Sequence, residues 1–267
     1  MRKMANDEIR KAVRVNYARV AESGGAGCGC SPSCCATPRA ITAEELSIAL
    51  GYSKEEVSTV PEGANMGLGC GNPQAIASLQ AGETVLDLGS GGGFDCFLAA
   101  QAVGEHGQVI GVDMTPEMVS KARRNASEAG LGNVEFRLGE IEHLPVADGS
   151  IDVIISNCVI NLSPEKERVF ADAFRVLKPG GRLAISDVVA TAEIPPEVKQ
   201  DFALYSGCVA GASSIDELES MLDRVGFVRV LVRPRDESKA FIREWAPGSK
   251  SEDYVVSAAI EAVKPQV

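Results

Sequence analysis

Histidine is nearly absent, with two in 267 residues. His106 sits in the solvated turn Glu-His-Gly-Gln, and His143 sits where packing or capping suits it better than catalysis. A reaction that must take a proton from an oxygen or nitrogen nucleophile is therefore poorly supplied with bases, although carboxylates could serve. Long apolar runs are lacking as well. None approaches the ~18 residues that cross a bilayer, and the N-terminal segment has no uninterrupted apolar core of an export signal. The expected location is the cytoplasm. Positive charge is also short: 26 basic residues face 37 acidic ones, for a net charge of −11. That balance repels nucleic acid and anionic membranes and removes both as expected partners. What the chain does have is eight cysteines. In a reducing compartment these are available to soft ions or redox chemistry rather than to structural disulfides.

Composition separates three stretches. Residues 1–60 hold an amphipathic helix, with Ile9, Val13, Tyr17 and Val20 on one face, and then SGGAGCGCSPSCCATP, which cannot build a core and reads as a loop. Residues 61–190 alternate strand and helix signals: strands at Thr84–Leu88, Gln108–Asp113, Val134–Leu138, Asp152–Ser156 and Arg182–Asp187. Helices are expected from about Asp95, from Thr115-Pro116 to Gly130, and from Ser163-Pro164, the last with Phe170, Phe174 and Leu177 facing inward. Lys178-Pro179-Gly180-Gly181 reads as a turn. Such alternation implies an α/β fold whose parallel sheet is covered on both faces. Residues 191–267 read as further helix, one strand near Phe227–Arg233 and a charged tail.

The segment VLDLGSGGGFD carries the most chemistry. Asp87 ends the first strand, and Gly89, Gly91 and Gly93 follow at alternate positions, where the backbone can turn sharply and a ligand can approach closely. Twenty residues beyond Gly93, Asp113 ends the second strand and can accept both hydroxyls of a ribose. A dinucleotide would favour Gly-x-Gly-x-x-Gly, but the sixth position here is Phe94. The order Asp-x-Gly-x-Gly-x-Gly resembles motif I of class I methyltransferases. The stretch Gly139–Pro145 is similar to that family's Gly-Asp-Ala-Glu-x-Leu-Pro segment. The resemblance implies a Rossmann-like sheet binding S-adenosylmethionine. Asp87 would lie near the methionine amino group, Glu140 at the adenine amino group and Ile141 against the ring through its backbone. Met114 and Asn157 are counted with these cofactor contacts.

For the methyl acceptor, three cysteines are well placed. Cys70 lies in a turn-rich loop before the sheet, Cys158 follows the fourth strand, and Cys208 lies in YSGCVAGA. Ligands of open α/β sheets bind at the carboxyl ends of strands, which is where Cys158 sits. Each of the three could also be a small core residue, the reading assigned to Cys96. Trivalent arsenic is thiophilic. Three thiolates would hold it in a pyramid whose free lone pair attacks a sulfonium methyl with no proton to remove.

The stretches VPEGANMGLGCGNPQAIASL, LDLGSGGGFDCFLAA, GVDMTPEMV, ISNCVINLSPEK and CVAGA together resemble arsenite S-adenosylmethionine methyltransferases. The resemblance implies that Cys70, Cys158 and Cys208 bind arsenite. It also implies that an N-terminal cysteine forms a disulfide with Cys70 during turnover, reduced afterwards by a thiol such as glutathione or by thioredoxin. Cys28, Cys30, Cys34 and Cys35 are the candidates, with Cys34 and Cys35 nearest the matched region. Those four could instead hold zinc, although the spacing is unlike paired knuckles, or act as an arsenic-capturing arm. Two other functions are open to the chain: methylation of a small organic carbon, nitrogen or oxygen nucleophile, and non-catalytic sensing of metalloids through thiols.

Overall fold

The computed structural model describes residues 6–23, 42–199, 201–245 and 249–266. The cysteine-rich stretch holding Cys28, Cys30, Cys34 and Cys35 lies outside them. Ahead of the sheet come helices α1 (Asn6–Ser23), α2 (Ala43–Ala49), α3 (Lys54–Thr59) and α4 (Gln74–Ala77). The core alternates β1 (Thr84–Leu88), α5 (Phe94–Val103), β2 (Gln108–Asp113), α6 (Pro116–Glu128), β3 (Val134–Leu138), β4 (Ile151–Asn157), α7 (Lys166–Val176) and β5 (Leu177–Ala190). Helices α8 (Pro196–Lys199), α9 (Phe202–Ser206) and α10 (Ile215–Val225) precede β6 (Val228–Arg235), α11 (Lys239–Trp245) and β7 (Val255–Val263). No described helix is long and apolar enough to cross a membrane.

Seven strands form one sheet in the order β3-β2-β1-β4-β5-β7-β6. β1 to β5 pair in parallel. The side-chain period of two sends Val85, Val153 and Ile155 to the face covered by α5 and α6, and Leu86, Leu88 and Ile154 to the face covered by α7 and α10. The chain leaves β1 in one direction and returns at β4 on its other side. A crevice therefore opens beyond the carboxyl ends of these two strands, as at every such reversal of strand order.

Several local expectations shift. The five strands expected between residues 84 and 187 are all parallel, and the C-terminal region adds β7, antiparallel between β5 and β6. The supposed tail supplies this strand, VVSAAIEAV, and its first six residues are all buried. Pro179, Gly180 and Gly181 lie within β5, where the pairing with β4 slips between Ile151 and Val153. Leu177 opens that strand and does not close a helix. Helix α7 starts at Lys166; the Ser163 hydroxyl donates to Glu142 at 2.6 Å and accepts from the Glu165 amide at 3.1 Å just ahead of it. Thr115 makes no side-chain cap on α6. Its amide instead donates to Asp113 Oδ1 at 2.8 Å.

Candidate active site

The crevice is built from the loops after β1, β2, β4 and β5. After β1, Gly89, Gly91 and Gly93 all take left-handed backbone (φ 72°, 52° and 94°). Two of them are also crowded: a Cβ on Gly89 would stand 2.5 Å from Val159, and one on Gly93 2.7 Å from Phe97. Gly91 faces open space, and its amide donates to Asp113 Oδ2 at 3.0 Å. Asp113 thus accepts one backbone amide on each oxygen, from Thr115 and Gly91. This orients the carboxylate, which the Thr115 side chain also contacts, and Oδ2 keeps a second lone pair for a ribose hydroxyl. Burial raises its pKa against the two amides and the Thr115 side chain.

Two further carboxylates are buried beneath the turn. Asp87 Oδ2 accepts from the Cys96 thiol at 3.2 Å. Asp95 accepts from the Tyr52 hydroxyl at 2.7 Å and from Asn157 Nδ2 at 3.3 Å. Burial raises both pKa values, that of Asp95 to about 6, and the charge of Asp95 raises Asp87 further. Among the described residues neither has a cationic side-chain partner. An uncompensated pair of buried carboxylates suits a ligand that brings an ammonium group, as the methionine end of S-adenosylmethionine does. Cys96 is fully buried, as a core residue should be, and its thiol also touches Asp87.

Asn157 turns out to be an anchor. Its Oδ1 accepts from the Cys70 amide at 3.0 Å, and its Nδ2 donates to the Gly71 carbonyl at 2.9 Å. It thereby ties the Cys70 loop to β4. Met114 packs with the thiol cluster, and Ile141 is buried on the α7 side of the sheet. Glu140 pairs with Arg14 at 3.0 Å and lies 3.8 Å from Arg10. Arg10 also reaches Glu142 at 3.1 Å and contacts Glu165. These pairs lay α1 across the crevice. Its Ile9 and Val13 join the same apolar cluster as the three cysteines, and the Tyr17 hydroxyl donates to the Ser206 carbonyl at 3.2 Å. The exposed His143 ring meets the Arg168 guanidinium at 2.9 Å and takes no part in the crevice.

The three cysteines converge. Cys70 Sγ, Cys158 Sγ and a carboxylate oxygen of Asp187 lie within 4.8 Å of one another. The Cys208 thiol donates to the Cys158 carbonyl at 2.9 Å, which sets it beside this group, and the Cys70 thiol donates to the Ser186 carbonyl at 3.6 Å. Cys158 and Cys208 are both left-handed (φ 60° and 64°), a conformation that costs an L-residue ~1–2 kcal/mol. Strain of that kind collects at functional sites. Burial pushes the Cys70 thiol up to about 11. The Cys158 contact with Cys208 lowers its pKa, but the contact with Cys70 and burial together raise it well above the ordinary range. Cys208 is raised by its contact with Cys158 and then by burial.

Asp187 escaped the sequence reading as a site residue, although it ends the strand expected at Arg182–Asp187. Its position at the carboxyl end of β5 was the available signal. Tyr52, Asp95 and Tyr17 were also missed, since each is brought in by packing between distant segments.

A family model described as a methyltransferase domain matches residues 79–226. The chain is 55% identical to the arsenite methyltransferase of Halobacterium salinarum, covering 97% of this chain and 67% of that one. It is 35% identical to the arsenite methyltransferase of Mus musculus, over 83% of this chain and 58% of the other. The solved structure of the arsenic (III) S-adenosylmethionine methyltransferase of Chlamydomonas reinhardtii aligns with a TM-score of 0.60 at 33% identity, covering 85% of this chain and 74% of that one. The chain thus spans about three fifths to two thirds of the length of these two curated relatives. On the strength of a matched methyltransferase domain and a 55% identical relative aligned along nearly its whole length, the chain belongs to the arsenite methyltransferase family.

Proposed function

We propose that this protein transfers methyl groups from S-adenosylmethionine to trivalent arsenic held by Cys70, Cys158 and Cys208. The observation that carries this reading is the burial of three cysteines in one cluster, with the sulfurs of Cys70 and Cys158 within 4.8 Å of each other and the Cys208 thiol on the Cys158 carbonyl. Asp87 and Asp95 would receive the ammonium of the cofactor, Gly91 would admit its chain, and Asp113 would hold the ribose. Glu140 would meet the adenine once it exchanges its partner Arg14 for the base. The cofactor supplies an electrophilic methyl on a sulfonium. The protein's own part is to present arsenic with its lone pair free, in a pocket that Ile9, Val13 and Tyr17 of α1 shield from water.

Arsenite enters as the trihydroxide, and each thiol replaces one hydroxyl with loss of water, so the neutral thiols favoured by burial are suitable reactants. Methyl transfer leaves arsenic formally pentavalent; Cys70 and Cys34 or Cys35 would supply the two electrons that return it to the trivalent state, becoming a disulfide, and glutathione or a thioredoxin would reduce that disulfide back to thiols. Incubation with arsenite, a thiol and S-adenosylmethionine, followed by arsenic speciation, tests the reading. Methylated arsenicals and S-adenosylhomocysteine are the expected products. Cofactor consumption that survives alkylation of the cysteines would reassign the enzyme to a small organic nucleophile. Arsenite binding with no cofactor consumption would make it a sensor.

A further inference from the structure

The thiol cluster has a fourth member that the chemistry described so far leaves idle. A carboxylate oxygen of Asp187 lies within 4.8 Å of the sulfurs of Cys70 and Cys158, and the residue is 1% exposed. Three donors fix it in place: the Ile160 amide at 2.8 Å, the Val188 amide at 2.7 Å and Asn161 Nδ2 at 2.9 Å. Burial raises its pKa to about 6, and these hydrogen bonds act against that shift in favour of the ionised carboxylate. The ammonium of Lys166 is also within electrostatic range, but it donates at 2.6 Å to the Gly211 carbonyl and makes no ion pair with Asp187.

Arsenic bound by three thiolates is neutral overall. In the transfer, its lone pair forms the As–C bond while the C–S bond to the sulfonium breaks. The electron pair of that bond stays on the cofactor sulfur, which becomes a neutral thioether, and the positive charge passes to arsenic. No proton moves, so charge stabilisation is the main electrostatic help a side chain can give. A fixed anion beside the arsenic ligands, in a water-poor pocket, is oriented before the charge arrives.

We propose that the Asp187 carboxylate stabilises the positive charge that develops on thiolate-bound arsenic during methyl transfer. The proposal rests on the arsenic-methylating function given above. It differs from a purely structural role, in which Asp187 would only clamp the loop at 160–162 to β5. Coulomb's law at roughly 5 Å and an effective dielectric of ~20 implies a large effect. Because the charge moves between two nearby centres and does not appear from nothing, the net effect reduces to a roughly ten- to hundredfold slower transfer without the carboxylate.

The test compares wild type with Asp187→Asn and Asp187→Glu after loading with arsenite. Three quantities are measured: arsenite affinity, the number of sulfur neighbours around arsenic by X-ray absorption, and the single-turnover transfer rate. In Asp187→Asn the affinity and the three-sulfur shell should persist while transfer slows as stated. Asp187→Glu, which restores the charge, should recover most of the rate, and it provides the comparison with wild type should the Asn variant not fold. An unchanged rate in Asp187→Asn, or no recovery in Asp187→Glu, overturns the proposal. Loss of sulfur neighbours in step with the rate would assign Asp187 to the clamp and overturn it too. Absence of a three-sulfur shell in wild type would instead defeat the arsenic site itself.

Discussion

Gly89 and Gly91 should fail in opposite ways when replaced by alanine. Both have left-handed backbone, so each Ala pays about 1–2 kcal/mol in conformation. At Gly89 the new methyl also falls 2.5 Å from Val159, and overpacking of that kind adds roughly 1–3 kcal/mol. The sum, about 2–5 kcal/mol, is a large share of the ~5–15 kcal/mol that holds a domain together. At Gly91 nothing lies within 4 Å of the added methyl, so stability should fall only by the conformational part. That methyl projects into the space over which the cofactor chain would pass, and the Gly91 amide is one of the two that orient Asp113. Denaturant titration reads stability, and calorimetric titration with S-adenosylhomocysteine reads binding. Gly89→Ala should be markedly destabilised. Gly91→Ala should be folded yet bind the cofactor product at least tenfold more weakly, a change of about 1.4 kcal/mol. Undiminished binding in Gly91→Ala would show that the cofactor does not approach the glycine turn.

Cys158→Ser and Cys208→Ser should fold and retain S-adenosylhomocysteine binding but lose arsenite methylation, since serine offers a hard, un-ionised ligand; methylation surviving in both would refute the thiol assignment. Cys96→Ser should keep arsenite binding, while its contact with Asp87 makes a modest change in cofactor affinity the quantity to watch. Arg10→Met should leave Glu142, whose side chain is 4% exposed, with the Ser163 hydroxyl but no cation, at a cost of roughly 3 kcal/mol, the low end for breaking a buried pair, because Arg10 is partly exposed. Faster proteolysis within α1 would accompany it, and an unchanged cleavage rate would mean that the apolar face alone holds the helix. The pH dependence of cofactor binding follows from Asp95, raised to about 6 by burial, and from Asp87, raised by burial and by Asp95. An ammonium binds the ionised forms, so affinity for S-adenosylhomocysteine should be highest above pH 7, fall as the pH drops through 6, and be accompanied by proton release near that pH. Calorimetry in buffers of different ionisation enthalpy would expose a pH-independent affinity, which would contradict the carboxylate assignment. For the unliganded protein the same raised values act on stability with the opposite trend, favouring the folded state below the unfolded pKa and losing that contribution as pH rises through about 6.

What the sequence alone determined were the features that contiguous residues decide. The strand–glycine turn–helix unit at residues 84–103 needs only the apolar run, the alternate glycines and the acid at its end. The acid that ends β2, the apolar face of α1 and the cysteine contexts are local in the same sense, which is why motif and period revealed them. β7 was not legible, because nothing local says that a run near the C-terminus will insert between β5 and β6. That choice belongs to the sheet, which gains two paired edges and buries the strand on both faces. The Arg10–Glu142 and Arg14–Glu140 pairs join residues more than 120 positions apart, and Tyr52 meets Asp95 across 43. Tertiary structure also decided that Cys158 and Cys208 would be left-handed and that Asp187 would share their pocket. Sequence can specify a soft ligand or an acid at a strand end. Which of them face one another depends on how the strand ends are brought together, and that is a property of the packed sheet.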